Sequence, residues 1–181
     1  FKKKYIDDQT LPTKKHIREK MIKNKLEEKF TEMQGEIYGK LIAKSKVQEG
    51  IISSLRNLLS SGVKISIVSH KTKYPIKGYK YNLHDAALMW LEKNKFFDEK
   101  YIGLKRENIY FEATIEEKVK RIKTIRCTHY IDDLEKILNR LDDKIIKILF
   151  SKEEINRKIG SPYKILKNWN ELYDIITNKS C

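Results

Sequence analysis

Residues 127–138 read CTHYIDDLEKIL, and this stretch decides the fold. Residues 127–131 form a short run suited to a buried strand, and Asp132 and Asp133 end it abruptly. Leu134, Ile137 and Leu141 then recur at helical spacing. A strand that passes straight into a helix is half of a β-α-β unit, because parallel neighbours need a long crossover and that crossover is usually helical. The same alternation continues on both sides. Upstream, a helical stripe over Val47, Ile51, Leu55 and Leu58 stops at Ser60-Ser61-Gly62 and gives way to a strand at 64–68. A helix at 83–91, a strand at 108–111 and a helix carrying Ile115, Val119 and Ile122 lead back to the opening stretch. Downstream, 145–150 reads as the last strand, and Trp169, Leu172, Tyr173 and Ile176 line a closing helix. The pattern predicts an α/β fold, a parallel sheet with helices on both faces.

Residues 1–45 have a different texture. From Thr13, Ile17, Met21, Ile22, Leu26, Phe30 and Met33 recur at three- and four-residue steps. Gly35 is expected to interrupt this stripe before Ile37, Tyr38, Leu41 and Ile42 resume it. The expected organisation is a small helical unit over 1–45 and an α/β core over 46–181.

With 181 residues, of which 40% are hydrophobic, the chain can bury a real core, which argues against disorder. Lys and Arg number 39 against 25 Asp and Glu, a net charge of +14 that points toward an anionic partner. The lysines are spread along the whole length, so much of that charge reads as a solvated surface, and nucleic acid is the least favoured partner class. Cys127 and Cys181 make neither a disulfide framework nor a zinc spacing, which suits a reduced cytoplasmic compartment. Apolar runs are only a few residues long, and no apolar stretch follows the basic Phe1-Lys2-Lys3-Lys4, so neither a membrane span nor a signal peptide is expected.

In open parallel sheets the ligand lies beyond the carboxyl ends of the strands, and three features there suit phosphoryl transfer. Ser69, followed by His70 and Lys71, places a hydroxyl that can bond a phosphoryl oxygen without adding charge. Asp132 and Asp133 crowd two carboxylates that a cation or donors must neutralise, and hard oxygen ligands suit Mg²⁺. Lys118, on the preceding helix, can screen phosphate and carboxylate from each other. Each also has a plainer reading: a loop hydroxyl, a helix cap, one lysine of a solvated face shared with Lys120 and Lys123.

Taken in order, ISIVSHKTKYP (65–75), YNLHDAALMWLE (81–92), IYFEATIEEKVKRI (109–122) and CTHYIDDLEKIL resemble a bacterial branch of the haloacid-dehalogenase-like (HAD) hydrolase superfamily. EMQGEIYGKLI (32–42) and LKNWNELYDII (166–176) extend the likeness over roughly residues 33–176. The resemblance implies a HAD-like Rossmannoid sheet with a small helical cap, and a Mg²⁺-dependent phosphatase working through an aspartyl-phosphate on a small phosphorylated metabolite. Ser69, Lys118 and Asp133 would be catalytic. Ser69, His70 and Lys71 would bind substrate, with Lys73 and Tyr74 adding a donor and an aromatic face, while Asp132 and Asp133 would hold the metal; His84, which opens the next helix, reads as structural first and ligand-facing second.

The superfamily's first motif, Asp-x-Asp, has no good match. In YIDDQTLP (5–12), Asp8 and Thr10 could stand for its second Asp and its Thr, but Ile6 then occupies the place of the nucleophile. The expectation is that the attacking carboxylate lies upstream of residue 1. The alternative is a catalytically silent HAD-like binding domain.

Overall fold

Local sequence signals set the element boundaries in the computed structural model, which describes residues 14–151 and 162–177. The chain divides into two compact units, Phe1–Ser45 with Thr72–Trp90, and Lys46–Lys71 with Leu91–Cys181.

In the first unit, α1 (Lys14–Lys23) and α2 (Glu27–Glu36) bury Met21 and Phe30 between them, with Ile17, Leu26 and Met33 packed around that pair. The helix does not break at Gly35. It continues to Glu36, widens into a π turn at Ile37–Leu41 and tightens into a 3-10 turn at Ile42–Lys44. The reason is packing, since Gly35 and Gly39 are one helical turn apart and share a face. A Cβ at Gly35 would meet Pro75 at 2.8 Å, and one at Gly39 would meet the Tyr81 side chain at 2.5 Å. The two glycines thus hold the segment around 75–81 against the helix. That segment leads into the helix Leu83–Lys93, whose start is marked by Asn82 Oδ1 accepting from the His84 and Asp85 N–H groups. The helix start expected at Thr13 lies outside the described residues, as does YIDDQTLP.

The second unit opens with α3 (Ile51–Ser60), which buries Leu58 and ends at Ser61 and Gly62, the latter in the left-handed region at φ +82°. In chain order there follow β1 (Ile67–His70), α4 (Leu83–Lys93), whose residues up to Trp90 belong to the first unit, and then, in the second, β2 (Ile109–Glu112), α5 (Ile115–Thr124), β3 (His129–Asp132), α6 (Glu135–Leu138), β4 (Ile146–Phe150), β5 (Lys164–Leu166) and α7 (Leu172–Thr177). Thr114 caps α5 reciprocally: its hydroxyl accepts from Glu117 N–H while the Glu117 carboxylate accepts from Thr114 N–H.

Every strand pair is parallel, which places the chain in the α/β class. β1 pairs with β2, and β3-β4-β5 form a second sheet. Ile148 and Leu149 on β4 point to opposite faces and enter different cores. Leu149 joins Val68, Ile122, Tyr130, Ile137 and Leu138, whereas Ile148 joins Leu58, Leu166 and Leu172. Three sequence expectations shift. β1 begins at Ile67 rather than at 64, so Ser69 lies inside the strand. α6 is a single turn, and Leu141 is buried beyond its end without belonging to it. β5, only three residues long, follows the strand expected to be last, and is too short to leave a period in the sequence. Among the described residues no helix is long and apolar enough to cross a membrane.

β1 and β3 each lack a ladder partner on one edge among the described residues, and side chains serve those edges instead. Lys71 N–H donates to Glu112 O, so strand alternation turns the Val68 carbonyl away from β2. There it accepts from the Tyr130 hydroxyl of β3 at 3.0 Å, in a buried bond. On β3, Ile146 N–H donates to Thr128 O, which turns His129 to the edge away from β4. Its carbonyl accepts from the Cys127 thiol at 2.8 Å. The two sheets are therefore bridged by the Tyr130 hydroxyl, while the Cys127 thiol satisfies the edge of β3 locally.

Candidate active site

The capping box fixes where α5 starts, and the helical step from Thr114 then carries Lys118 to the buried face beside Ile122. The Lys118 ammonium donates to Asp132 Oδ2 at 2.7 Å, with the two side chains only 9% and 7% exposed. Asp132 ends β3, and its other oxygen accepts from Leu134 N–H at 3.0 Å. The carboxylate thus does turn the chain toward α6, although the residue at the cap position is Leu134 itself. The Tyr130 ring lies 5.6 Å from the Lys118 ammonium, close enough for its π face to add to the attraction.

Burial dominates the electrostatics. It pushes the Asp132 carboxyl above the ordinary carboxylate range, against the opposing pull of Lys118 and the Leu134 N–H. The Tyr130 hydroxyl is held well above its usual range by burial first and by the Asp132 charge second, so it stays a donor to Val68 O.

Ser69 sits at the end of β1, half-buried and in register with Phe111. It follows Val68, so the Tyr130 bond ties its backbone to the strand that ends in Asp132. His70 is exposed, with Nε2 3.0 Å from Ala113 O. It also lies near Glu116, whose carboxyl is lowered first by its own backbone N–H, then by Arg140 at 2.6 Å, and least by His70. Lys71 is anchored through its backbone to Glu112. Arg121 binds Glu112 at 2.7 Å and lies 4.7 Å from the Tyr110 ring, which fixes the neighbouring end of β2.

Of the residues expected from sequence, Lys118 and Asp132 are in direct contact and Ser69 is tied to them through the backbone. Asp133 is exposed next to the pair, and His70 and Lys71 continue from Ser69. Tyr130 is the residue that sequence reasoning missed. Its signal was present, because a tyrosine in the middle of an apolar strand must find a partner for its hydroxyl when buried.

No family model, curated protein or solved structure matches the chain. Among the described residues no group of three or more His, Cys, Asp or Glu side chains could hold a metal ion. The donor chemistry present is two adjacent carboxylates, one of them desolvated and already meeting a cation. Mg²⁺ commonly takes one or two carboxylates and completes its shell with water and phosphate oxygens; here both Asp132 oxygens are engaged within the chain, by Lys118 and by Leu134 N–H, and the exposed Asp133 is the carboxylate open to solvent.

Proposed function

We propose that the chain carries the phosphate- and metal-binding side of a HAD-like, Mg²⁺-dependent phosphatase, a phosphoric monoester hydrolase acting on a small phosphorylated metabolite in the cytoplasm. The observation that carries this reading is the buried Lys118–Asp132 pair at the carboxyl end of β3, joined through Tyr130 to the strand bearing Ser69. A structural ion pair has no need of a second carboxylate at its side, and Asp133 supplies one at the strand end where ligands bind.

In this reading the attacking carboxylate is the first Asp of an Asp-x-Asp motif upstream of residue 1. It attacks phosphorus, and the ester oxygen departs with its electron pair and takes a proton from the second Asp of the Asp-x-Asp motif to leave as an alcohol; water, giving a proton back to that Asp, then cleaves the aspartyl-phosphate to release inorganic phosphate. Ser69 donates its hydroxyl to a phosphoryl oxygen. Lys118 screens the repulsion between phosphate and carboxylates. His70 and Lys71 contact the substrate beyond Ser69. Mg²⁺, held by Asp132 and Asp133, would supply charge neutralisation for the phosphoryl oxygens.

The test is an assay of the full-length parent against a panel of phosphate esters, with and without Mg²⁺ and with Asp132→Asn. Hydrolysis that ignores both the metal and the substitution would sink the proposal. One observation favours a second reading, a catalytically silent binding domain: Lys118 already neutralises Asp132 within the chain. That reading predicts phosphate or Mg²⁺ binding with no turnover even when the upstream sequence supplies an Asp-x-Asp after an apolar run.

A further inference from the structure

Residues 73–81 of the first unit read KYPIKGYKY, lysines alternating with aromatic and apolar side chains and no acidic residue among them. The fold leaves the large side chains of this segment in water: Tyr79 is 73% exposed, Ile76 76% and Tyr74 45%. Exposed apolar surface gathered in one place marks a contact surface more often than an accident of folding.

The segment is also held in shape. Pro75 is buried against Gly35, and Tyr81 closes on Gly39. Lys73 O accepts from Leu83 N–H at 2.8 Å, the Thr72 hydroxyl donates to Tyr74 O at 2.8 Å, and Tyr81 N–H donates to Tyr79 O at 2.9 Å. Gly78, at φ +84°, makes the turn between the two halves. The Tyr79 and Tyr81 rings stand 4.6 Å apart. A surface ordered in advance loses little entropy on binding.

Its charge is positive. Lys73 lies 5.6 Å from the Tyr74 ring, and Lys80 reaches Pro75 O at 3.5 Å. The acids that approach from α2 are already met by lysines: Glu28 pairs with Lys77 at 3.2 Å, and Glu32, beside Gly78, pairs with Lys29 at 2.7 Å.

We propose that residues 73–81 form a docking surface for single-stranded nucleic acid, with the Tyr79 and Tyr74 rings stacking on bases and Lys73 and Lys80 meeting phosphates. Interleaved cations and flat rings are the requirements for such a strand, whose unstacked bases offer their faces. A second copy of this chain would bring a like charge of +14 to the same surface, which argues against self-association here. On sequence alone nucleic acid is the least favoured partner, given the even spread of lysines and the lack of a recognition motif or an interleaved basic and aromatic run; residues 73–81 correct the last point, and their exposure and order argue the other way. The proposal is independent of the phosphatase reading.

The test uses the whole chain and a fluorescein-labelled single-stranded RNA of mixed sequence, about a dozen nucleotides long, followed by anisotropy across a salt titration. Tyr79→Ser and Tyr74→Ser should each weaken binding by roughly 5- to 100-fold, the range for loss of one stacked base. Lys73→Gln with Lys80→Gln should lower the slope of log affinity against log salt by about 1.4, two phosphates' worth. All these side chains are exposed, so thermal unfolding should be unchanged and serves as the folding control. The proposal is overturned if the tyrosine variants bind like the wild type, if the RNA does not bind at low salt, or if phosphatidylserine vesicles bind and the RNA does not.

Discussion

Tyr130→Phe removes one hydroxyl and leaves the ring, so it isolates the bond that closes the seam between the two sheets. In the wild type that hydroxyl donates to Val68 O at 3.0 Å in a buried setting, and the carbonyl faces away from its ladder partner β2. Phe leaves this acceptor desolvated and unpaired, which costs about 1–3 kcal/mol. The ring itself stays packed among Val68, Ile122 and Leu149, so no cavity forms to add to that figure. For a chain of this length the loss corresponds to a melting temperature lower by roughly 3–10 °C. Urea unfolding followed by circular dichroism should show a lower midpoint at unchanged slope, the sign of a pure stability change. The Tyr173 hydroxyl, 3.0 Å from the Ser61 hydroxyl at an exposed position, gives the control, and Tyr173→Phe should cost under about 0.5 kcal/mol because water replaces the lost partner. If Tyr130→Phe is as mild as that control, the seam does not depend on the tyrosine and the reasoning fails.

Lys118→Met leaves Asp132 desolvated without its cation and should cost about 3–5 kcal/mol, while Lys118→Met with Asp132→Leu should recover most of it; additive losses in the double-mutant cycle would refute a true pair. Gly39→Ala should destabilise the chain although alanine is the better helix former by about 1 kcal/mol, because the new Cβ would meet Tyr81 at 2.5 Å; a more stable variant in thermal unfolding would contradict the close approach. The raised Asp132 carboxyl makes a pH prediction. Its folded value lies above its unfolded one, so its favourable contribution is complete below the ordinary carboxylate range and fades as pH rises through the folded value. The stability lost in Asp132→Asn should accordingly shrink from acid toward neutral pH, and a penalty that grows over that interval would show the shift to have the opposite sign.

The alternation of strands and helices was legible because buried parallel strands and amphipathic helices leave different periods, and the α/β class follows from that alone. The candidate site was legible in part: Asp132 ends β3 and Ser69 stands one residue short of the end of β1, where residue type carries meaning, whereas nothing local sets Lys118 apart from Lys120 and Lys123 on the same helix. Three features left no readable trace. β5 is too short to show a period. The passage through Gly35 depends on Pro75, a residue distant in sequence, and a glycine read locally looks like a helix stop. The grouping of Thr72–Trp90 with the first unit likewise depends on contacts that no local pattern encodes.

The seam explains why the residues that matter most for the site are also structural. Two parallel sheets with facing edges would ordinarily invite a strand between them, because unpaired main-chain groups in a buried place are costly. Here Tyr130 and Cys127 each satisfy one such carbonyl, and Lys118, lying over the same tyrosine ring, satisfies the carboxylate at the strand end. A strand entering between β1 and β3 would compete with the Tyr130 hydroxyl for Val68 O, and freeing that hydroxyl would loosen the platform under Lys118. The ion pair and the edge are thereby coupled, so the stability cost of Lys118→Met should change in a Tyr130→Phe background. Costs that simply add would separate the two and confine Tyr130 to the seam.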